Sequence, residues 1–392
     1  MHLHAHELRK HLEPLFQENL DQFGEVGVAV SIWQNGKSVA DLHGGLSDVR
    51  GERPWTQETI VLIWSATKGL ASACLLHALQ EHKIDIGRRV SEFWPDFGQA
   101  AKGRITLAQL LSHQAGLAAL DRHVDILDYQ AVIEALEQQE PNWPPGIAHG
   151  YHARTFGFLL EELVRRIASV PLGEYWRKTF GEPLALDLWI GLPASENYRV
   201  ATMYAAKVGK SFEPRNRQSN VTATLTPDFY QELARSGSFA RKVFNSPSGL
   251  NAVSDLNKPE NRARAFASFG GIGSANSLAK FYAMLANGGR MEDQQFFAEK
   301  TLHWMKATLS DGIDRVFQIP TAFSAGFMKD SQASPRKIFG PGTSSFGHPG
   351  AGGSHAFADP ENKISFAYVM NQMEQSVLPN EKSLRLVDAI YQ

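Results

Sequence analysis

The apolar positions of this chain predict that it begins with a helix followed by a β-hairpin. Within the first twenty residues, apolar side chains recur at the spacing of one helical face: Leu8, Leu12, Leu15 and Phe16. Two strand-like runs, residues 26–33 and 37–42, then flank Asn35 and Gly36. Asn-Gly between two such runs is a strong hairpin signal, so we expect an antiparallel strand pair here.

Helical patterns dominate the middle of the chain. Residues 66–83 are predicted to form one helix, and helical spacing prevails from about residue 84 to residue 262. The clearest apolar stripe ends before Pro171 and consists of Phe156, Leu159, Leu160, Leu163, Val164 and Ile167. Residues 205–262 have weak periodicity and many Asn, Ser, Arg and Pro residues, which predicts long, partly mobile loops that could cover a site.

Strand patterns return near the end of the chain, between two further helices. Residues 321–329, 354–358 and 363–371 have the composition of strands, and residues 359–362 form a turn signal. The two helices are predicted from these apolar positions: Leu278, Phe281, Tyr282 and Leu285, then Leu384, Val387 and Ile390. Strands therefore lie at both ends of the sequence, with helices between them.

The simplest assembly of these elements is an α+β protein. One antiparallel sheet, built from both ends of the chain and flanked by helices, would carry an inserted and mostly helical lobe. We expect a discontinuous α/β lobe of residues 1–84 and 263–392, and a helical lobe with long loops over residues 85–262. The seam between two such lobes is the default place for a site.

Composition narrows the classes of partner. The chain has 392 residues, 43% hydrophobic and 20% charged, with a net charge of −2 and no long run of like charges. The chain therefore has no concentration of positive charge that would indicate binding to a nucleic acid or an anionic membrane. The sequence gives no indication of the oligomeric state. With Cys74 as its single cysteine it forms no internal disulfide, and the start of the chain lacks the apolar core of a secretory signal. We expect a cytoplasmic protein.

The first chemical motif is Ser-x-x-Lys, formed by Ser65 and Lys68 directly after an apolar run at residues 61–64. Residues three apart on a helix are neighbours, so the amine can lie beside the hydroxyl. A serine hydroxyl is a weak nucleophile that needs an adjacent base to take its proton. The alternative is a helix-capping serine and a solvated lysine.

The second motif is Tyr151, on a loop before the helical stripe. Beside an ammonium group the pKa of a phenol falls, so Tyr151 could take the Ser65 proton and later return it to a leaving group. The alternative is a tyrosine that packs the loop.

The third segment, residues 346–354, is rich in glycine, which suggests close approach of another backbone or a ligand. A backbone amide there could face the Ser65 amide and form an oxyanion hole, or the segment is a glycine-rich bulge without a ligand.

In this order, the three segments resemble the serine β-lactamase and penicillin-binding-protein superfamily, most of all the class C β-lactamase-like hydrolases that include family VIII carboxylesterases. That family has Ser-x-x-Lys, then Tyr-x-Asn, then Lys-Thr-Gly or His-x-Gly. This chain has Ser65 and Lys68, then Tyr151-His152-Ala153, then His348-Pro349-Gly350. The resemblance runs from about residue 25 to the end and implies a β-lactamase/transpeptidase-like fold.

The resemblance also implies roles for individual residues. Ser65 would be the acylated nucleophile, Lys68 and Tyr151 the pair that activates it, and the amides of Ser65 and Ala351 the oxyanion hole. His113 would be structural, in the loop under the site. The residues expected to contact substrate are His348, Gly350, Trp64 and His152. The aromatic residues Trp64, Trp143 and Phe346 could line an apolar pocket or belong to the core.

Two departures from the family motifs bear on the substrate. Ala153 stands where the family has an asparagine that helps hold the amide side chain of β-lactams, and His348 stands where it has a lysine that attracts their carboxylate. We therefore predict a serine hydrolase for small carboxylic esters that needs no metal or organic cofactor. An amidase, a D-amino-acid peptidase or a weak β-lactamase on the same fold is one alternative. A non-catalytic binding protein is another.

Overall fold

The computed structural model describes residues 1–206 and 227–392 of the chain. The strands of these residues are β1 (Gly27–Gln34), β2 (Lys37–Asp48), β3 (Arg53–Pro54), β4 (Val61–Leu62), β5 (Leu188–Ile190), β6 (Gly271–Gly273), β7 (Arg290–Met291), β8 (Gln294–Gln295), β9 (Ser310–Ile313), β10 (Pro320–Phe323), β11 (Met328–Lys329), β12 (Phe346–Pro349), β13 (His355–Asp359) and β14 (Ile364–Met370).

The helices are α1 (Ala5–Asp21), α2 (Thr67–Glu81), α3 (Leu107–Leu111), α4 (Tyr129–Gln138), α5 (Thr155–Ala168), α6 (Leu172–Trp176), α7 (Pro227–Ala234), α8 (Phe239–Phe244), α9 (Pro259–Arg262), α10 (Ala275–Ala286), α11 (Glu299–Lys306) and α12 (Glu381–Ile390). Within the described part of the chain, none of the helices combines the length and the apolar character that crossing a membrane requires.

A nine-stranded antiparallel sheet joins the two ends of the chain, as the sequence predicts. Its strand order is β3-β2-β1-β14-β13-β12-β11-β10-β9. The first hairpin and the last strand are neighbours in this sheet, where Val30 of β1 lies between Leu42 of β2 and Tyr368 of β14. The prediction of an α+β protein with one sheet built from both ends is confirmed.

Both faces of the inner strands β1, β13 and β14 are buried. Along β1, Val28 and Val30 pack in one apolar cluster with the helices α1 and α12, whereas Ala29 belongs to the cluster on the opposite face. Helices α10 and α2 cover that second face. Because helices cover both faces, the central strands are nearly continuous apolar runs, without the alternation of a half-exposed strand.

Two predictions about secondary structure were wrong. Residues 321–329 form two strands, β10 and β11, because Gly326 takes a left-handed φ of +84° between them and turns the chain back. The loops predicted over residues 205–262 include three short helices, α7, α8 and α9, whose four to eight residues are too few to show a clear period. The remainder of that prediction, residues 207–226, lies outside the described residues.

A small three-stranded sheet, in the order β4-β6-β5, stands beside the main one. Its middle strand pairs Ile272 with Leu62 of β4 and with Trp189 of β5. Strand β5 comes from the predicted helical lobe, and β4 and β6 come from the two parts of the predicted α/β lobe. This small sheet therefore fixes the segment that leads from β4 into α2.

The end of β12 packs directly against that segment. A Cβ atom placed on Gly350 would lie 2.3 Å from the carbonyl oxygen of Ile63, a distance that real Cβ atoms do not adopt. Glycine at residue 350 therefore allows the large sheet to touch the turn between β4 and α2. The glycine-rich segment predicted to approach another backbone does so here.

We predict that Gly350→Ala destabilises the protein, because the added methyl group forces β12 away from Ile63. Overpacking of this kind typically costs about 1–3 kcal/mol of unfolding free energy. Urea denaturation followed by tryptophan fluorescence measures the loss. Gly51→Ala is the matched control, since its methyl group would meet no atom closer than 3.5 Å. Equal unfolding free energies for the two variants would contradict the contact.

Candidate active site

Ser65 lies half-buried in a tight turn between β4 and α2. Trp64, directly before it, has a φ of +51°, which is uncommon for a residue other than glycine. The Thr67 hydroxyl stabilises this turn, because it donates to the carbonyl of Trp64 at 2.5 Å and accepts from the Gly271 amide at 2.8 Å. The turn that presents Ser65 is thus anchored to β6.

Lys68, in the first turn of α2, is fully buried beside Ser65. Its Nζ atom lies 3.4 Å from Ser65 Oγ, 2.8 Å from the carbonyl oxygen of Ala153 and 3.0 Å from that of Ser268. No carboxylate within the described residues forms an ion pair with it. Burial therefore lowers the pKa of Lys68 far below its ordinary value.

A neutral amine fits these contacts. It has two N–H bonds and one lone pair. If the two carbonyl oxygens of Ala153 and Ser268 accept the N–H bonds, the lone pair is left for the hydroxyl of Ser65. The arrangement places a hydrogen-bond acceptor of high proton affinity beside the candidate nucleophile.

Ser268 also connects the two segments that hold Lys68. Its hydroxyl donates to the carbonyl of Arg154 at 2.8 Å and accepts from the Gly157 amide at 2.6 Å. A Cβ atom on Gly157 would lie 2.3 Å from the Ser268 nitrogen, so the first turn of α5 needs glycine for this contact. Sequence reasoning missed Ser268 because it acts through its backbone and belongs to no motif.

Tyr151 is buried beside Lys68 and Ser65. The Lys68 nitrogen lies 4.8 Å from the centre of the Tyr151 ring, and the phenol hydrogen-bonds to the Ser65 side chain. The ring stacks on Phe317 at 4.8 Å between centroids. Burial raises the pKa of Tyr151, so the prediction of a lowered phenol pKa was wrong. Desolvation of the phenolate outweighs the other influences, and the structure supports a protonated Tyr151.

A buried carboxylate, Asp314, supports the Tyr151 backbone from the β9–β10 connection. Its Oδ1 atom accepts hydrogen bonds from the amides of Tyr151 at 3.2 Å, Val316 at 2.7 Å and Phe317 at 2.9 Å. The same carboxylate thus positions Tyr151 and the ring on which it stacks. No spacing in the sequence relates Asp314 to Tyr151, so sequence reasoning missed it.

His152, predicted to contact substrate, belongs instead to the framework under the site. It is fully buried, its Nδ1 donates to the carbonyl of Gly150 at 2.7 Å, and its Nε2 accepts from the Leu117 amide at 2.9 Å. Burial lowers its pKa to about 3. Since both ring nitrogens are occupied and no surface is exposed, His152 cannot bind substrate. The Nδ1 atom of His113 accepts a hydrogen bond from the His152 amide, which fits the structural role expected for His113.

The third segment brings Ala351 towards the nucleophile turn. Ala351 follows Gly350, which touches the carbonyl of Ile63 two residues before Ser65. In the described part of the chain, neither the Ser65 amide nor the Ala351 amide donates to another group. Both donors are therefore available to a bound molecule. Gly350, predicted to contact substrate, makes this close backbone contact.

His348 lies on β12 with its ring near Tyr151, at 5.9 Å between centroids. Its Nδ1 donates to the Pro349 carbonyl at 2.8 Å, and its Nε2 is buried without a partner among the described residues. Burial lowers its pKa to about 3, so the ring is neutral. Because Nδ1 carries the proton, Nε2 is a hydrogen-bond acceptor without a positive charge.

The three aromatic candidates separate into core and surface residues. Trp143 is buried, with its indole N–H donated to the carbonyl of Ala148, and Phe346 is fully buried in the sheet. Trp64 is only partly buried and directly precedes Ser65. Of the three, Trp64 has exposed surface beside the candidate nucleophile.

Known proteins match this chain along almost its full length. A family model described as Beta-lactamase matches residues 12–389. The Esterase/beta-lactamase LipL of Mycobacterium tuberculosis is 30% identical over 354 residues, which cover 88% of this chain and 77% of LipL.

Two solved structures also match. A novel penicillin-binding protein homolog from Caulobacter crescentus has a TM-score of 0.84 and 31% identity, and the match covers 98% of this chain and 97% of the homolog. A family VIII carboxylesterase has a TM-score of 0.84 and 30% identity, with the same coverage of both chains. These matches confirm the predicted β-lactamase/transpeptidase-like fold. Because the family model spans nearly the whole sequence, the chain belongs to the beta-lactamase family.

Proposed function

We propose that this protein is a serine hydrolase that cleaves carboxylic esters through an acyl-enzyme on Ser65. The observation that carries the proposal is the contact of Ser65 Oγ with Lys68, a fully buried amine whose other hydrogen bonds go to two carbonyl oxygens. The names of two similar proteins support an ester substrate, since LipL is an esterase/beta-lactamase and a matching structure is a family VIII carboxylesterase.

Acylation begins when Ser65 Oγ attacks the ester carbonyl carbon and Lys68 accepts the hydroxyl proton. The carbonyl oxygen becomes negatively charged and is stabilised by the amides of Ser65 and Ala351. The C–O bond to the alcohol then breaks. The departing oxygen takes a proton from the Lys68 ammonium, with the Tyr151 hydroxyl as the path between them, and the acyl group remains on Ser65.

Deacylation repeats these steps with water. Lys68, again neutral, accepts a proton from water as its oxygen attacks the acyl carbon. The tetrahedral intermediate collapses, Ser65 Oγ recovers a proton, and the carboxylic acid leaves. Burial favours the neutral amine that both half-reactions require.

Uncharged esters suit this site better than β-lactams do. Ala153 has no side-chain amide with which to hold the amide group of a β-lactam, and the neutral His348 ring has no charge with which to attract a carboxylate. The exposed part of Trp64 gives an apolar surface for an acyl or alcohol group. None of these differences affects Ser65, Lys68 or Tyr151.

We predict that Ser65→Ala lowers hydrolysis of p-nitrophenyl butyrate by roughly 10³-fold or more, because it removes the hydroxyl that forms the acyl-enzyme. Wild type should turn over nitrocefin weakly or not at all. Ser72→Ala removes a buried serine of α2, the helix that follows Ser65, and should retain esterase activity.

A fluorophosphonate probe separates the alternatives. It should label wild type and Ser72→Ala but not Ser65→Ala. Strong nitrocefin turnover would favour a β-lactamase, and activity confined to D-amino-acid amides would favour a peptidase. If wild type shows neither labelling nor turnover, the alternative of a non-catalytic binding protein remains.

We further predict that Lys68, and not Tyr151, sets the acidic limb of the pH–rate profile. Burial lowers the Lys68 pKa, so the amine is neutral above that pKa, and kcat/KM falls as the pH drops through it. Tyr151→Phe should lower the rate by roughly 10²-fold yet keep the same limb. Tyr175→Phe, on α6, is the control that should change neither. If the acidic limb of the pH–rate profile vanished in Tyr151→Phe, the Tyr151 phenol and not Lys68 would be the base.

A further inference from the structure

A cavity of about 210 Å³ lies beside α5, and residues of the segments that hold Lys68 form part of its lining. Ser65, Lys68 and Tyr151 do not line it, but Ser268 does. It is therefore a space separate from the proposed reaction centre, with the Ser268 segment as the wall between them.

Three phenylalanine rings contribute to the apolar lining of this cavity: Phe158, Phe266 and Phe269. Each keeps 8% of its surface exposed, and the rings of Phe266 and Phe269 stack at 5.1 Å with an angle of 13° between their planes. Aromatic surface left open in a cavity favours an apolar ligand. An apolar cavity of roughly 150 Å³ is enough to bind benzene, so the space admits a phenyl group.

Positive charge exceeds negative charge around the same cavity. Arg165 pairs with Glu161 at 2.6 Å, which leaves Arg154 and Arg264 among the lining residues. Arg154 is mostly buried and donates to uncharged oxygen atoms of residues 247–251. Arg264 is exposed and makes one long contact, 3.4 Å, to the carbonyl of Leu127. Neither guanidinium pairs with a carboxylate of the described chain.

We propose that this cavity binds a small organic carboxylate with an apolar or aromatic body. The phenylalanine rings would enclose the body, and the guanidinium groups of Arg154 and Arg264 would attract the carboxylate. Arg264 is exposed, and the planar fork of N–H donors of an arginine matches a carboxylate. The N–H groups of Arg154 already donate to residues 247–251, so Arg154 contributes its mostly buried positive charge, which an anion stabilises. The proposal does not depend on ester hydrolysis, because no catalytic residue lines the cavity.

The test is calorimetric titration of the full chain with 4-phenylbutyrate and with its neutral amide. The acid should bind, and the amide should bind at least about tenfold more weakly because it lacks the charge. Arg264→Gln should weaken binding of the acid by a similar factor. Leu127→Glu, which places a negative charge at the cavity mouth, should do the same. Arg122→Gln is the matched control, since Arg122 is exposed and does not line this cavity.

Three results would overturn the proposal. The first is no binding of the acid at millimolar concentration, and the second is equal binding of the acid and the amide. The third is binding that neither Arg264→Gln nor Leu127→Glu changes, which would locate the acid elsewhere on the protein. Ester hydrolysis by wild type is measured separately, so failure of this proposal leaves the proposed function untouched.

Discussion

The site depends on the Lys68 amine, which is buried without a counter-ion among the residues that the structure describes. Lys68 is held by the carbonyl oxygens of Ala153 and Ser268, which come from segments far apart in the chain. Removing a charge from water without a partner costs several kcal/mol, and a lysine responds by losing its proton. Two carbonyl oxygens satisfy the two N–H bonds of the neutral amine. The hydrogen-bond pattern and the desolvation therefore favour the same protonation state, the one that a base beside Ser65 requires.

Close backbone contacts bring these acceptors and donors together. At Gly157 the first turn of α5 touches Ser268, and at Gly350 the end of β12 touches Ile63; in both places a Cβ atom would lie 2.3 Å from a backbone atom. The contact at Gly157 brings the two carbonyl acceptors together around Lys68. The contact at Gly350 brings Ala351 towards Ser65. Packing between backbones thus sets the geometry of the side chains that react.

The sequence predicted those parts of the fold in which pattern and burial agree. Helices α1, α5 and α10 have long apolar stripes, and Asn35-Gly36 is a strong turn signal. The motif residues Ser65, Lys68 and Tyr151 do meet in space. Ser268 and Asp314 were missed because one acts through its carbonyl and the other on backbone amides, which leave no spacing to detect. The predictions of a lowered Tyr151 pKa and of a substrate contact for His152 were wrong, because the sequence does not show how completely each side chain is buried.

Burial pushes the titratable groups of this site towards their neutral forms. The pKa of Lys68 is lowered, that of Tyr151 is raised and that of His348 is lowered to about 3, each first of all by desolvation. A site that is neutral at rest gives little attraction to an anionic substrate. In the proposed reaction, charge forms as Ser65 attacks: an ammonium on Lys68, which faces two carbonyl oxygens, and an oxyanion, which faces two amides. Dipoles that are already oriented towards those positions stabilise the transition state more than the bound ester, and this difference is what accelerates the reaction.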